Sequence, residues 1–187
     1  MAVQERLYSV EDFEAFLEQP ENKERLFELI DGRIVEKVPT QEHAQIVMNI
    51  GTPLNLYAHK TKSGRVGTEA RHRNPQDSRN SRQPDISFDS HKQPLVKQGA
   101  VLHMPTLAVE VKSPSDTYIE MREKASYYLA NGAQMVWLVF PEKRIVEVYT
   151  VDADVQILLE DETISGGEVL PGFELAVHDV FVDPLAD

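Results

Sequence analysis

The apolar positions of the chain fall into runs at helical and strand spacing, and these runs set out most of its elements. Val10, Phe13, Phe16 and Leu17 recur at intervals of three and four behind Ser9 and Asp12, a pair with the form of a capping box. A short helix is therefore expected to about Gln19, with Pro20 ending it. Two β-rich runs in RLFELIDGRIVEKV flank Asp31-Gly32, the strongest short hairpin signal in the sequence. After Pro39, Thr40 caps a longer predicted helix with Ala44, Val47, Met48, Leu54 and Tyr57 on its inner face. Gly51-Thr52-Pro53 predicts a kink or a break in it, and Gly64 its end. Strands are expected around residues 65–71, in PDISFDS and in PTLAVEVK. SPSDTYIEMREKASYYLANG has the marks of a helix capped by Ser115 or Asp116 and stopped before Gly132, with Tyr118, Met121, Ala125, Tyr128 and Leu129 in one stripe. QMVWLVF and RIVEVYTV read as strand, turn, strand around Pro141. Short strands and a closing turn near HDVF should complete one α/β domain over residues 1–187.

Composition narrows the class of protein. Hydrophobic residues make up 41% and charged residues 27% of 187 positions, enough apolar material for a sizeable core. Cysteine is absent, which excludes disulfides, thiolate nucleophiles and thiolate metal sites and fits a reducing compartment. MAVQERLYSVEDF lacks the apolar stretch of a signal peptide, and no window has the length of a membrane span. A soluble, cytoplasmic protein without membrane contact is expected. The net charge of −12 argues against a polyanionic partner, but its distribution argues otherwise. Residues 59–82 carry seven Lys/Arg against two acids, a net of +5 on an acidic body. A charge run is ordinarily a solvated loop; this one precedes the motif described next, so Arg65, Arg71, Arg73, Arg79 and Arg82 are candidates for steering a phosphate backbone.

The informative stretch is PTLAVEVKSPSD, residues 105–116, an apolar strand interrupted by Glu110 and Lys112. Alternation sends Leu107, Val109 and Val111 to one face, and Ala108, Glu110 and Lys112 to the other. Residues two apart on a strand lie roughly 6.5–7 Å apart, so both heads can converge on one point. Asp85, opening PDISFDS, joins them if its strand pairs with 106–112. Two carboxylates and an ammonium on one patch suit phosphodiester hydrolysis. The carboxylates hold a hard divalent cation, and the lysine orients the nucleophile, helps deprotonate it or stabilises charge. A Glu and Lys on a solvent-facing strand edge is the plain alternative; the apolar flanks argue against it.

These residues, with their neighbours, resemble the PD-(D/E)XK nuclease superfamily. Pro84-Asp85 is followed after 24 intervening residues by EVK at 110–112. FELIDGRIVE, a helix opening with EH, RQPDISF, LAVEVKSPSD, a Lys before YYLANG, VWLVFP and VLPGFEL occur in the order of its restriction-endonuclease-like branch, over about residues 7–182. The resemblance implies an αβββαβ core over about 25–150, a mixed central sheet flanked by helices, DNA as substrate, and magnesium as cofactor with manganese as a substitute. Residue by residue, it implies Asp85 and Glu110 as metal ligands, the Val111 backbone carbonyl as a further ligand, and Lys112 as the catalytic lysine. Lys124, four before Tyr128 on the following helix, falls where related nucleases place a polar residue and a tyrosine. Glu42 is a candidate extra carboxylate, with helix-dipole complementarity as its ordinary explanation; Glu28 and His43 are further supporting candidates.

The expected activity is that of a magnesium-dependent endonuclease. The alternatives are a binding or assembly module that keeps the fold without turnover, and a metal-dependent hydrolase of another phosphoester. Exposed strand edges and apolar C-terminal strands also allow a homodimer.

Overall fold

The computed structural model describes residues 6–185; residues 1–5, part of the stretch read for a leader, lie outside the described residues. The chain divides into two compact units. Among the described residues, the smaller comprises 6–38, 71–83 and 96–103. It begins with α1 (Val10–Leu17), whose N-terminus carries the predicted capping box, Ser9 and Asp12 each satisfying the other's backbone N–H. The hairpin forms as expected from β1 (Leu26–Ile30) and β2 (Arg33–Lys37). Asp31 at φ 49° and Gly32 at φ 81° provide the two left-handed positions that a tight two-residue turn needs. Val10, Phe13, Phe27 and Leu29 make this unit's core.

The larger unit contains, among the described residues, 39–70, 84–95 and 104–185. In order it holds α2 (Gln41–Thr61), β3 (Arg65–Thr68), β4 (Ile86–Asp89), β5 (Leu107–Val111), α3 (Tyr118–Ala130), β6 (Met135–Phe140), β7 (Ile145–Thr150), β8 (Gln156–Leu158), β9 (Thr163–Ser165), β10 (Glu174–Ala176) and α4 (Val177–Val180). Six strands form one mixed sheet in the order β3-β4-β5-β6-β7-β8, with only β5 and β6 parallel. A parallel pair requires a crossover, which α3 supplies. From α2 to β6 the order is the expected αβββαβ.

Alternation along β5 divides two cores. Leu107, Val109 and Val111 join Ile86, Phe88, Trp137 and Val139 in a cluster with Ile46, Ile50, Leu54 and Ala58 of α2. Ala108, Val136, Leu138 and Phe140 of the opposite face cluster with Met121, Ala125 and Tyr128 of α3. The sheet is thus flanked by a helix on each face.

Five local expectations change. α2 runs unbroken through Pro53, and its buried stripe is His43, Ile46, Ile50, Leu54 and Ala58, a different phase from the predicted inner face, so Met48 is exposed. The helix ends at Lys62 in the left-handed region rather than at Gly64. Gly64 has another reason to be glycine: a Cβ there would lie 2.6 Å from Phe88 Cζ and 2.7 Å from the Asp89 carbonyl oxygen. α3 is capped by Thr117 in a capping box with Glu120, because Asp116 is occupied by the N–H and hydroxyl of Ser113. The closing segment near HDVF is the short helix α4. No helix among the described residues is long and apolar enough to cross a membrane.

Candidate active site

The antiparallel register of β4 and β5 pairs Ile86 with Val109 and Ser87 with Ala108. One step beyond that ladder aligns Asp85 with Glu110, and residues opposite one another share a face. Both carboxylates are 1% exposed. The Val111 N–H donates to Asp85 Oδ2 at 2.6 Å, so a side chain closes the end of the ladder where a backbone carbonyl would otherwise do so. His43, in the first turn of α2, brings its Nε2 to 3.1 Å from the same oxygen. Its place follows from the α2 stripe, whose first buried member it is.

Glu110 is held from α3. Tyr128 donates its hydroxyl to Oε1 at 2.7 Å, and Lys124 donates from Nζ to Oε2 at 2.9 Å. The two donors are four apart and therefore lie on one helix face. Tyr128 is fully buried; it packs in the core and also serves the carboxylate. The i, i+4 spacing with Lys124 was the signal available in the sequence.

Lys112, just past the end of β5, takes partners of its own. Its Nζ lies 3.2 Å from Glu142 Oε1 and 3.2 Å from the Ser113 carbonyl oxygen, with the Tyr118 ring beneath it at 5.4 Å. Tyr118 also donates to Glu142 at 2.7 Å. Burial pushes the Glu142 carboxyl up, but the hydrogen bonds from Tyr118, its own backbone and Lys112 outweigh that and hold it below the usual carboxylate range. No motif marks Glu142. It reaches Lys112 because β5 and β6 run parallel and end at the same edge of the sheet.

Glu42 is exposed in the first turn of α2, where its charge complements the helix N-terminus. Glu28 is buried in the smaller unit and accepts the Gln83 N–H at 2.6 Å. Of the basic segment, Arg65 is exposed on β3, whereas Arg71, Arg73, Arg79 and Arg82 belong to the smaller unit. Arg71 forms a bidentate pair with Glu14. Arg82 is 4% exposed, too buried to present its charge at a surface.

A family model described as "Putative restriction endonuclease" matches residues 11–178. The chain belongs to this family, Uma2. Among solved structures, the Uma2 chain is similar to one from Anabaena variabilis ATCC 29413, described as a putative nuclease belonging to DUF820. The identity is 23% over 92% of this chain and 97% of that one, with a TM-score of 0.78, a likeness in fold. No curated protein matches it significantly. Its family and fold together make it a nuclease-family protein with a restriction-endonuclease-like architecture.

The donor set fits a divalent cation. Two buried carboxylates on adjacent strands offer hard oxygen ligands of the kind magnesium and manganese take. When bound, such a cation acidifies water and offsets charge growing on a phosphoryl oxygen.

Proposed function

We propose that this protein hydrolyses phosphodiester bonds of DNA as an endonuclease, using magnesium, or manganese in its place, held by Asp85 and Glu110 with the Val111 carbonyl as a further ligand. The observation that carries this reading is the alignment of the two buried carboxylates at the end of the β4–β5 ladder. The residues divide the work by their anchoring. The Val111 N–H and His43 fix Asp85, while Tyr128 and Lys124 fix Glu110, so both acids are oriented before substrate arrives. Lys112, on the same face of β5, supplies an ammonium that orients the nucleophile or offsets phosphate charge. Its contact with Glu142 keeps that ammonium at the strand end.

A second reading, a nuclease fold that binds without turnover, is favoured by the satisfaction of Glu110 and Lys112 within the protein itself. Cleavage of plasmid DNA with magnesium and with chelator separates the two. Asp85→Asn and Glu110→Gln should each lower a magnesium-dependent rate by about 10²-fold or more. Full activity in both variants would remove the site, and absence of cleavage in the wild type would favour the binding module.

A further inference from the structure

We infer that Lys124 is the resident counter-ion of Glu110 and competes with a divalent cation for carboxylate oxygen Oε2. The inference rests on the metal-dependent reading of this site and concerns how that site is filled. The two donors to Glu110 differ in how freely they can leave. Tyr128 is fully buried on α3, and its rigid ring holds Oε1 from within the core. Lys124 reaches Oε2 on a flexible alkyl stem, and its side chain is 11% exposed against 1% for Glu110. Tyrosine can keep its place while the ammonium moves toward solvent.

The ammonium also has somewhere to go. Glu120, one turn earlier on the same helix, is exposed and lies four residues before Lys124, the favourable order for an acid–base pair. Backbone and side-chain hydrogen bonds from Thr117 are the main causes that hold the Glu120 carboxyl below the usual range, and the field of Lys124 adds to them. Lys124 thus stands within electrostatic reach of a second carboxylate outside the site. One mobile positive charge keeps Glu110 compensated while no divalent cation is bound, since an uncompensated buried carboxylate would be strongly destabilising. A divalent cation arriving at Glu110 takes over that compensation, and Lys124 gives up Oε2.

Two ligands that compete for one group are negatively coupled, and removing one must tighten the other. Manganese titration of the full chain by calorimetry, paired with thermal unfolding with and without manganese, reads this coupling directly. Lys124→Met should unfold at lower temperature without manganese and show a larger manganese-induced rise in Tm. It should bind manganese about tenfold tighter or more, within the usual range of such couplings. Lys124→Arg, which keeps the charge, should return both readouts toward wild type. Glu110→Gln combined with Lys124→Met should lose the tightening, because it acts through Glu110. If Lys124→Met folds only when manganese is present, that result also supports the exchange.

Equal or weaker manganese binding by a folded Lys124→Met protein overturns the inference while leaving the metal site standing. Failure of the wild type to bind manganese overturns the reading beneath it as well.

Discussion

Replacing Tyr128 by phenylalanine removes one oxygen from the core and leaves the ring in place. Its hydroxyl donates at 2.7 Å to Glu110, a carboxylate only 1% exposed. Hydrogen bonds to charged groups contribute about 1.5–3 kcal/mol, and a buried carboxylate that loses a donor bears the cost directly. Glu110 still has Lys124 at 2.9 Å, which places the expected loss near the middle of that range, about 2 kcal/mol. For a chain of this length, each kcal/mol moves the midpoint by about 2–4 °C, so Tm should fall by about 4–8 °C. Denaturant unfolding gives the free energy and a thermal scan the midpoint; both should move together at unchanged m-value. Cleavage should also fall, because Oε1 is no longer fixed. A Tyr128→Phe protein within about 0.5 kcal/mol of wild type would show that the hydroxyl does not hold Glu110, and the account of α3 as the support of the site would fail.

Three further substitutions test the scaffold. On β7, burial and then the Glu147 carboxylate push the Tyr149 phenol up to about 12 from an ordinary value of 10.0. A raised folded value means stability present below pH 10 and lost as pH climbs through about 12, so Tyr149→Phe should flatten the alkaline limb of the stability profile, measured by denaturant titration at each pH. Burial pushes the neighbouring Glu147 up, but hydrogen bonds from Arg122 and Tyr149 outweigh it and leave the carboxyl below its usual 4.5; Glu147→Gln should lessen the loss of stability as pH falls below that value. Gly64→Ala should cost about 1–3 kcal/mol, because the added methyl meets the Asp89 carbonyl, which a side-chain rotation cannot clear. Unchanged chemical stability in Gly64→Ala would count against the close approach of that turn to β4.

Local pattern determined a large part of this protein. The Asp31-Gly32 hairpin, the capping box of α1, the stripe of α3 and the division of β5 into two faces all follow from interactions between residues close in sequence. That division is also why Glu110 was legible as a site residue, and why Asp85 could be placed beside it once β4 and β5 were taken as a pair. Phase along α2 was less legible, since a 21-residue helix with mixed polarity offers more than one apolar stripe.

Which partner each charge takes was decided by tertiary structure alone. Lys112 sits two residues from Glu110, yet its ammonium meets Glu142, because the parallel crossover brings the ends of β5 and β6 to one edge. Lys124 is 14 residues away and meets Glu110, because α3 packs back over the strand it follows. His43 reaches Asp85 from a helix separated from it by a whole strand. Sequence spacing fixes which side chains share a face, whereas the meeting of two faces depends on strand register and on how the helices pack against the sheet.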